Sequence, residues 1–158
     1  MDELKRLFLA MIDEAFDQDA WYGPNLWNTL KGLSLEQATY TSTYEGYSAW
    51  KVVLHCAYWK WDTRKNLCGH PIPEFPRGPE DWPRPAEDRS LASWKADLEF
   101  LREEHRLLRE CIQEFPEEKL LRIDERHHYP FARHLYGIAS HDVYHTAQIR
   151  NMGIPGVK

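Results

Sequence analysis

Cysteine is scarce in this 158-residue chain and poorly placed for cross-linking: Cys56, Cys68 and Cys111 are an odd set without a Cys-x-x-Cys pair. That argues against a disulfide framework and against a thiolate zinc site, so each thiol reads as a small buried hydrophobe. Long apolar runs are also missing. No window approaches the roughly 18 consecutive apolar residues of a membrane-spanning helix. The opening stretch MDELKRLFLAMIDEAF mixes charged and apolar residues and lacks both the apolar run and the small-residue cleavage site of a signal peptide. A reducing cytoplasm is the expected compartment. Nor is there an excess of positive charge: 25 acidic against 20 basic residues give a net charge of −5. A nucleic-acid footprint or an anionic membrane surface then lacks its usual electrostatic drive, which leaves a small molecule as the expected partner.

Rings are abundant instead, with 8 His, 7 Trp and 8 Tyr. The hydrophobic fraction of 42% and charged fraction of 28% are those of a globular protein. A chain of this length buries roughly 68–70% of its unfolded surface, enough for one core and one domain spanning 1–158.

Apolar periodicity predicts four long helices. Leu4, Leu7, Phe8, Met11, Ile12 and Phe16 recur at three- and four-residue intervals, the stripe of a helix that runs to about Gln18. Pro24 suits the first position of a short helix ended by Gly32, and Ser34 to Gln37 reads as a capping box. Ser48 caps the second long helix, AWKVVLHCAYWKWDTRKNLC, which Gly69 closes in a left-handed conformation. Between residues 70 and 88, Pro71, Pro73, Pro76, Pro79, Pro83 and Pro85 forbid regular structure. At about 3.1 Å per residue this connector can return the chain along a whole helix, so that the second and third helices lie parallel; the alternative is a flap over a ligand. Ser90 opens the third helix, with Leu91, Trp94, Leu98, Leu101, His105, Leu108 and Ile112 on one side and Phe115-Pro116 as its stop. Its Lys and Arg residues form a solvated face. An extended piece fits around 120–127, then Pro130 starts the fourth helix, which Gly153 and Pro155 stop. The fold class is an all-α four-helix bundle.

On the fourth helix His141 and His145 are four apart and leave the same face, one turn from each other. Two imidazoles so placed make a clamp for zinc, nickel, iron or copper that needs a third ligand from elsewhere. Eight histidines give such a pair by chance roughly 0.4 times in a chain of this length, so context must decide. His55 supplies it, mid-helix among Val52, Leu54 and Trp59 on the core side of the second helix. His134, about 10.5 Å before His141 along the axis, is too far for the same ion and is a pocket-lining candidate. His127, His128 and His70 read as solvated, and His105 as core or groove.

His55 with Ala57-Tyr58-Trp59-Lys60, the segment from Pro24 to Gln37, and His141-Asp142-x-x-His145-Thr-Ala-Gln148-Ile149 together resemble the DinB/YfiT-like superfamily over nearly the whole chain. The resemblance implies an up-down-down-up four-helix bundle with a long crossover between helices two and three, and often a homodimer. It also implies that His55, His141 and His145 bind one divalent metal ion, zinc or nickel, as an open site that water or substrate completes. Relatives include transferases that use bacillithiol or mycothiol, a maleylpyruvate isomerase that uses a low-molecular-weight thiol, and members described as metal-dependent hydrolases. Ala147 stands where members often have Gly, and the chain ends soon after the fourth helix.

Three neutral imidazoles leave such an ion its full charge, so a water or thiol bound there becomes more acidic. Hydrolysis and thiol transfer both remain open. Asp62, seven residues after His55, and Gln148, three after His145, are the weak catalytic candidates, as partners of an imidazole, a water or substrate. Asp142 points about 100° away from His141 and reads as a surface or interface charge. Trp59 has the best claim to the metal side of a pocket, with Tyr58 and Tyr144 as packing residues or part of its mouth. A metal-dependent enzyme, a non-catalytic or stress-associated metal-binding bundle, and a structural dimer without metal are the three readings.

Overall fold

The computed structural model describes residues 3–158, and four of its helices are long: α1 (Glu3–Phe16), α4 (Ala49–Leu67), α5 (Leu91–Glu114) and α6 (Ala132–Asn151). Two five-residue helices, α2 (Leu26–Leu30) and α3 (Leu35–Thr39), join α1 to α4. A 3-10 turn at Glu117–Lys119 and a two-stranded hairpin, β1 (Ile123–Asp124) paired antiparallel with β2 (Tyr129–Pro130), join α5 to α6. The four long elements match the apolar period. No helix among the described residues is long and apolar enough to cross a membrane.

Local chemistry sets the helix starts. Ser34 and Gln37 form the capping box, while Ser48 and Ser90 accept hydrogen bonds from Lys51 N and Ser93 N. Each cap contributes about 1 kcal/mol. Pro24 is not the first residue of α2: the helix begins at Leu26 and Asn25 caps it, its side chain accepting from Asn28 N. Gly69 adopts no left-handed conformation: α4 ends on an extended Cys68, whose N–H still bonds Arg64 O. Pro130 is drawn into β2 rather than starting α6, so the extended piece foreseen around 120–127 becomes a hairpin displaced three residues onward. Gly153 does stop the last helix at φ +85°, and any Cβ there would meet the Tyr44 ring at 3.0 Å.

Packing shifts the predicted stripe of α1 by part of a turn. Phe8, Leu9, Ile12, Ala15 and Phe16 are buried, whereas Leu7 is 56% and Met11 38% exposed. One apolar cluster gathers Leu26, Leu30, Trp50, Leu54, Trp94 and Ile149; another gathers Ile12, Leu108, Ile112, Leu135 and Ile138. Each such side chain contributes roughly 1.5–3 kcal/mol relative to exposure. Helices α4 and α5 share the largest contact. Trp50 Nε1 donates to Asp97 near their starts, Arg64 forks onto Glu104 further along, and Cys68 abuts Cys111 near their ends.

The proline-rich connector has no regular structure, but it is anchored along α4. Phe75 is buried against Tyr58, Trp61 and Phe100. Trp61 Nε1 donates to Pro73 O at 2.9 Å, Tyr58 Oη donates to Pro79 O at 3.3 Å, and the Arg77 guanidinium pairs with Asp97. These ties bring residues 81 and 82 onto His55.

Candidate metal centre

Helix α4 presents His55 to the inside and α6 presents His141 and His145 one turn apart. The three rings meet edge to edge. His141 Nε2 lies 3.2 Å from His55 Nε2 and 3.1 Å from His145 Nε2. Two nitrogens on one tetrahedral ion at the usual 2.0–2.1 Å would be about 3.3 Å apart, so the observed spacing fits a shared ion.

The outer nitrogens of two rings have fixed roles. His55 Nδ1 donates to the Asp81 main-chain oxygen, an atom that can only accept. His145 Nδ1 donates to Gln148 Oε1 at 2.8 Å, and the Gln148 amide nitrogen in turn donates to Tyr47 Oη at 2.8 Å. Both Nδ1 atoms therefore carry the proton, and both Nε2 atoms point bare lone pairs inward. The single proton that His141 Nε2 could carry serves one neighbour, not both. Without a cation, at least one pair of lone pairs faces another at hydrogen-bond distance. Burial holds the rings neutral: it pushes the His145 pKa down to about 4 and, with the neighbouring rings, that of His141 to about 2, and it lowers that of His55.

Trp59 lies edge-on to His55 and tilted against His141. Together with Asp62, His134 and His141 it lines a cavity of about 540 Å³. Asp62 accepts from Asn66 Nδ2 at 3.1 Å and, among the described residues, makes no hydrogen bond to an imidazole. Gln148 orients His145 from the side away from the other two histidines. Tyr58 turns toward the connector, and Tyr144 is 63% exposed beside His145.

Asp142 corrects the surface reading. It is fully buried and paired with the equally buried Lys60, whose ammonium also lies 4.9 Å from the centre of the Phe16 ring. The 100° offset from His141 turns the carboxylate into the bundle, toward α4, rather than outward. Burial raises its pKa despite Lys60. On the cationic face of α5, Arg109 forks onto Asp13 of α1, while Arg64 of α4 reaches across to Glu104.

Two features escaped the sequence reading. Trp82 of the connector stacks on His55, with ring centroids 3.8 Å and planes 13° apart. At the far side of the cavity the hairpin folds Asp124 under two histidines: Oδ2 accepts from His127 Nδ1 at 2.6 Å and from His134 Nε2 at 3.1 Å. His127 is thus bonded rather than solvated. The proline spacing signalled only that the connector was extended, and a two-residue strand has no period to read.

A helical bundle with three converging imidazoles on two facing helices defines a class of candidate metal-binding proteins. The sequence profile of the DinB superfamily matches residues 20–149, and the chain belongs to that superfamily. No curated protein and no solved structure matches it.

Proposed function

We propose that His55, His141 and His145 hold one divalent metal ion, zinc or nickel, and that the protein uses it to act on a small molecule in the adjoining cavity. One observation carries this reading: the Asp81 carbonyl and Gln148 fix two imidazoles with their lone pairs turned toward a third at 3.1–3.2 Å. When bound, the ion would supply Lewis acidity, lowering the pKa of a water or a low-molecular-weight thiol and so favouring hydrolysis or thiol transfer. The chain's own residues do the rest. Trp59 lines the cavity beside the histidines, while Asp62, Arg133 and His134 offer polar groups to a substrate. His141 belongs to both the triad and the cavity wall, which links binding space to reacting centre.

We read the bundle as up-down-down-up with the connector as crossover, supported by the way contacts advance together along α4 and α5. A cytoplasmic homodimer belongs to the same reading, with exposed Leu7, Met11 and Tyr136 offering apolar area for a second copy.

Metal analysis of purified protein after supplementation and desalting tests the proposal. About one ion per chain is expected, with occupancy lost in His145→Ala. Stoichiometric binding retained in that variant would show the ligands to be others, and no metal at all would leave a structural dimer. Esters, phosphoesters, and thiols paired with electrophiles then separate hydrolase from transferase; a loaded protein without turnover on any of them is a non-catalytic metal binder.

A further inference from the structure

Away from the histidines, the end of α4 meets α5 at a pair of thiols. Cys68 and Cys111, 43 positions apart in sequence, bring their Sγ atoms to 2.7 Å. That distance lies between the ~2.05 Å of a disulfide bond and the roughly 3.5–4.0 Å at which unbonded carbon atoms rest, and sulfur is larger than carbon. A cavity of about 390 Å³ opens onto both, with His70, Glu114 and Lys119 among its walls. Cys68 is half-buried and Cys111 only 7% exposed, so a reagent in the cavity meets Cys68 first.

We propose that Cys68 and Cys111 form a reversible disulfide that staples the end of α4 to α5, and that small disulfides of the glutathione-disulfide class are its oxidants. The Cys68 thiolate attacks one sulfur of the reagent, giving a mixed disulfide and releasing the first small thiol. Cys111 then gives its proton to solvent and attacks the Cys68 sulfur, closing the protein disulfide and releasing the second. Two protein thiols lose two electrons and two protons; the reagent gains both as two thiols. Burial, together with the adjacent Cys68 sulfur and Glu114 and against Arg64, pushes the Cys111 thiol well above its ordinary pKa, and its attack on Cys68 needs the thiolate. Cys56, wholly buried, is the internal control.

Incubation of the full chain with glutathione disulfide, followed by alkylation under denaturing conditions and peptide mapping without reduction, tests this. The expected product is a Cys68–Cys111 cross-linked peptide with Cys56 alone alkylated, reversed by dithiothreitol and accompanied by a higher thermal midpoint. In Cys111→Ser, glutathione should remain on Cys68 as a stable adduct, a result that does not depend on the cross-link forming. Three alkylated cysteines in the wild-type protein after prolonged incubation would overturn the proposal, as would a glutathione adduct on Cys68 that Cys111 never displaces.

Discussion

Trp82 lies flat on His55 while its chain neighbour Asp81 takes the proton-bearing nitrogen of the same ring through its main-chain oxygen. A single dipeptide thus sets both the plane and the tautomer of an imidazole on another element. Trp82→Ala removes the stacking surface and loosens the Asp81 carbonyl that precedes it. Metal affinity should fall on the order of 10–100-fold, the range typical of partners that orient a ligand. Competition with a chromophoric chelator measures this. Unchanged affinity would mean that α4 packing alone aims His55.

Gln148 performs the corresponding task for His145, with Tyr47 holding the amide. Gln148→Leu keeps the volume and removes the acceptor. A similar 10–100-fold loss of affinity is expected, with the far-UV helix signal intact. Gln148→Glu, which keeps an acceptor, should restore most of it.

Lys60 and Asp142 form a charge pair with no exposed surface. Lys60→Met strands a buried carboxylate and should cost about 3–5 kcal/mol of folding stability, whereas Lys60→Met combined with Asp142→Leu should cost much less than the sum of the single changes. Chemical denaturation of the four proteins gives the coupling energy. Additive effects would show the pair to be energetically independent.

His105 packs face to face on Phe16 at 3.9 Å, and burial pushes its pKa from 6.5 down to about 4, outweighing Asp13 beside it. Above pH 6.5 the ring is neutral whether the chain is folded or not, and its contribution is complete. Between about 6.5 and 4 the unfolded chain takes up a proton that the folded chain refuses, so stability drains away as pH falls, by on the order of 3 kcal/mol in all. Metal-free wild type and His105→Gln, melted across that range, should converge in stability as the pH drops. A constant gap would mean that His105 is protonated in place.

The histidine triad was legible because helical periodicity converts spacing into direction: positions 141 and 145 share a face whatever lies around them, and the apolar neighbours of His55 turn it inward. The four long helices were legible for the same reason. Asp142 was misjudged because a 100° offset says which way a carboxylate points relative to its neighbour but not which helix lies there. Trp82, Asp81 and the Asp124 hairpin depend on contacts between aperiodic segments and distant helices, and prolines encode reach without destination. Cys68 and Cys111 gave no sign either, since their meeting follows from how α4 and α5 lie together rather than from any local motif.

The acceptor for His55 is a backbone atom, and that shifts where the site's specification resides. Any residue at position 81 carries the same carbonyl, so the ring's protonation pattern is written in chain length rather than in residue identity. Phe75 fixes the connector on one side and Trp82 on the other. One residue added between them would leave every ligand of the candidate centre in place and move the oxygen that aims the first of them.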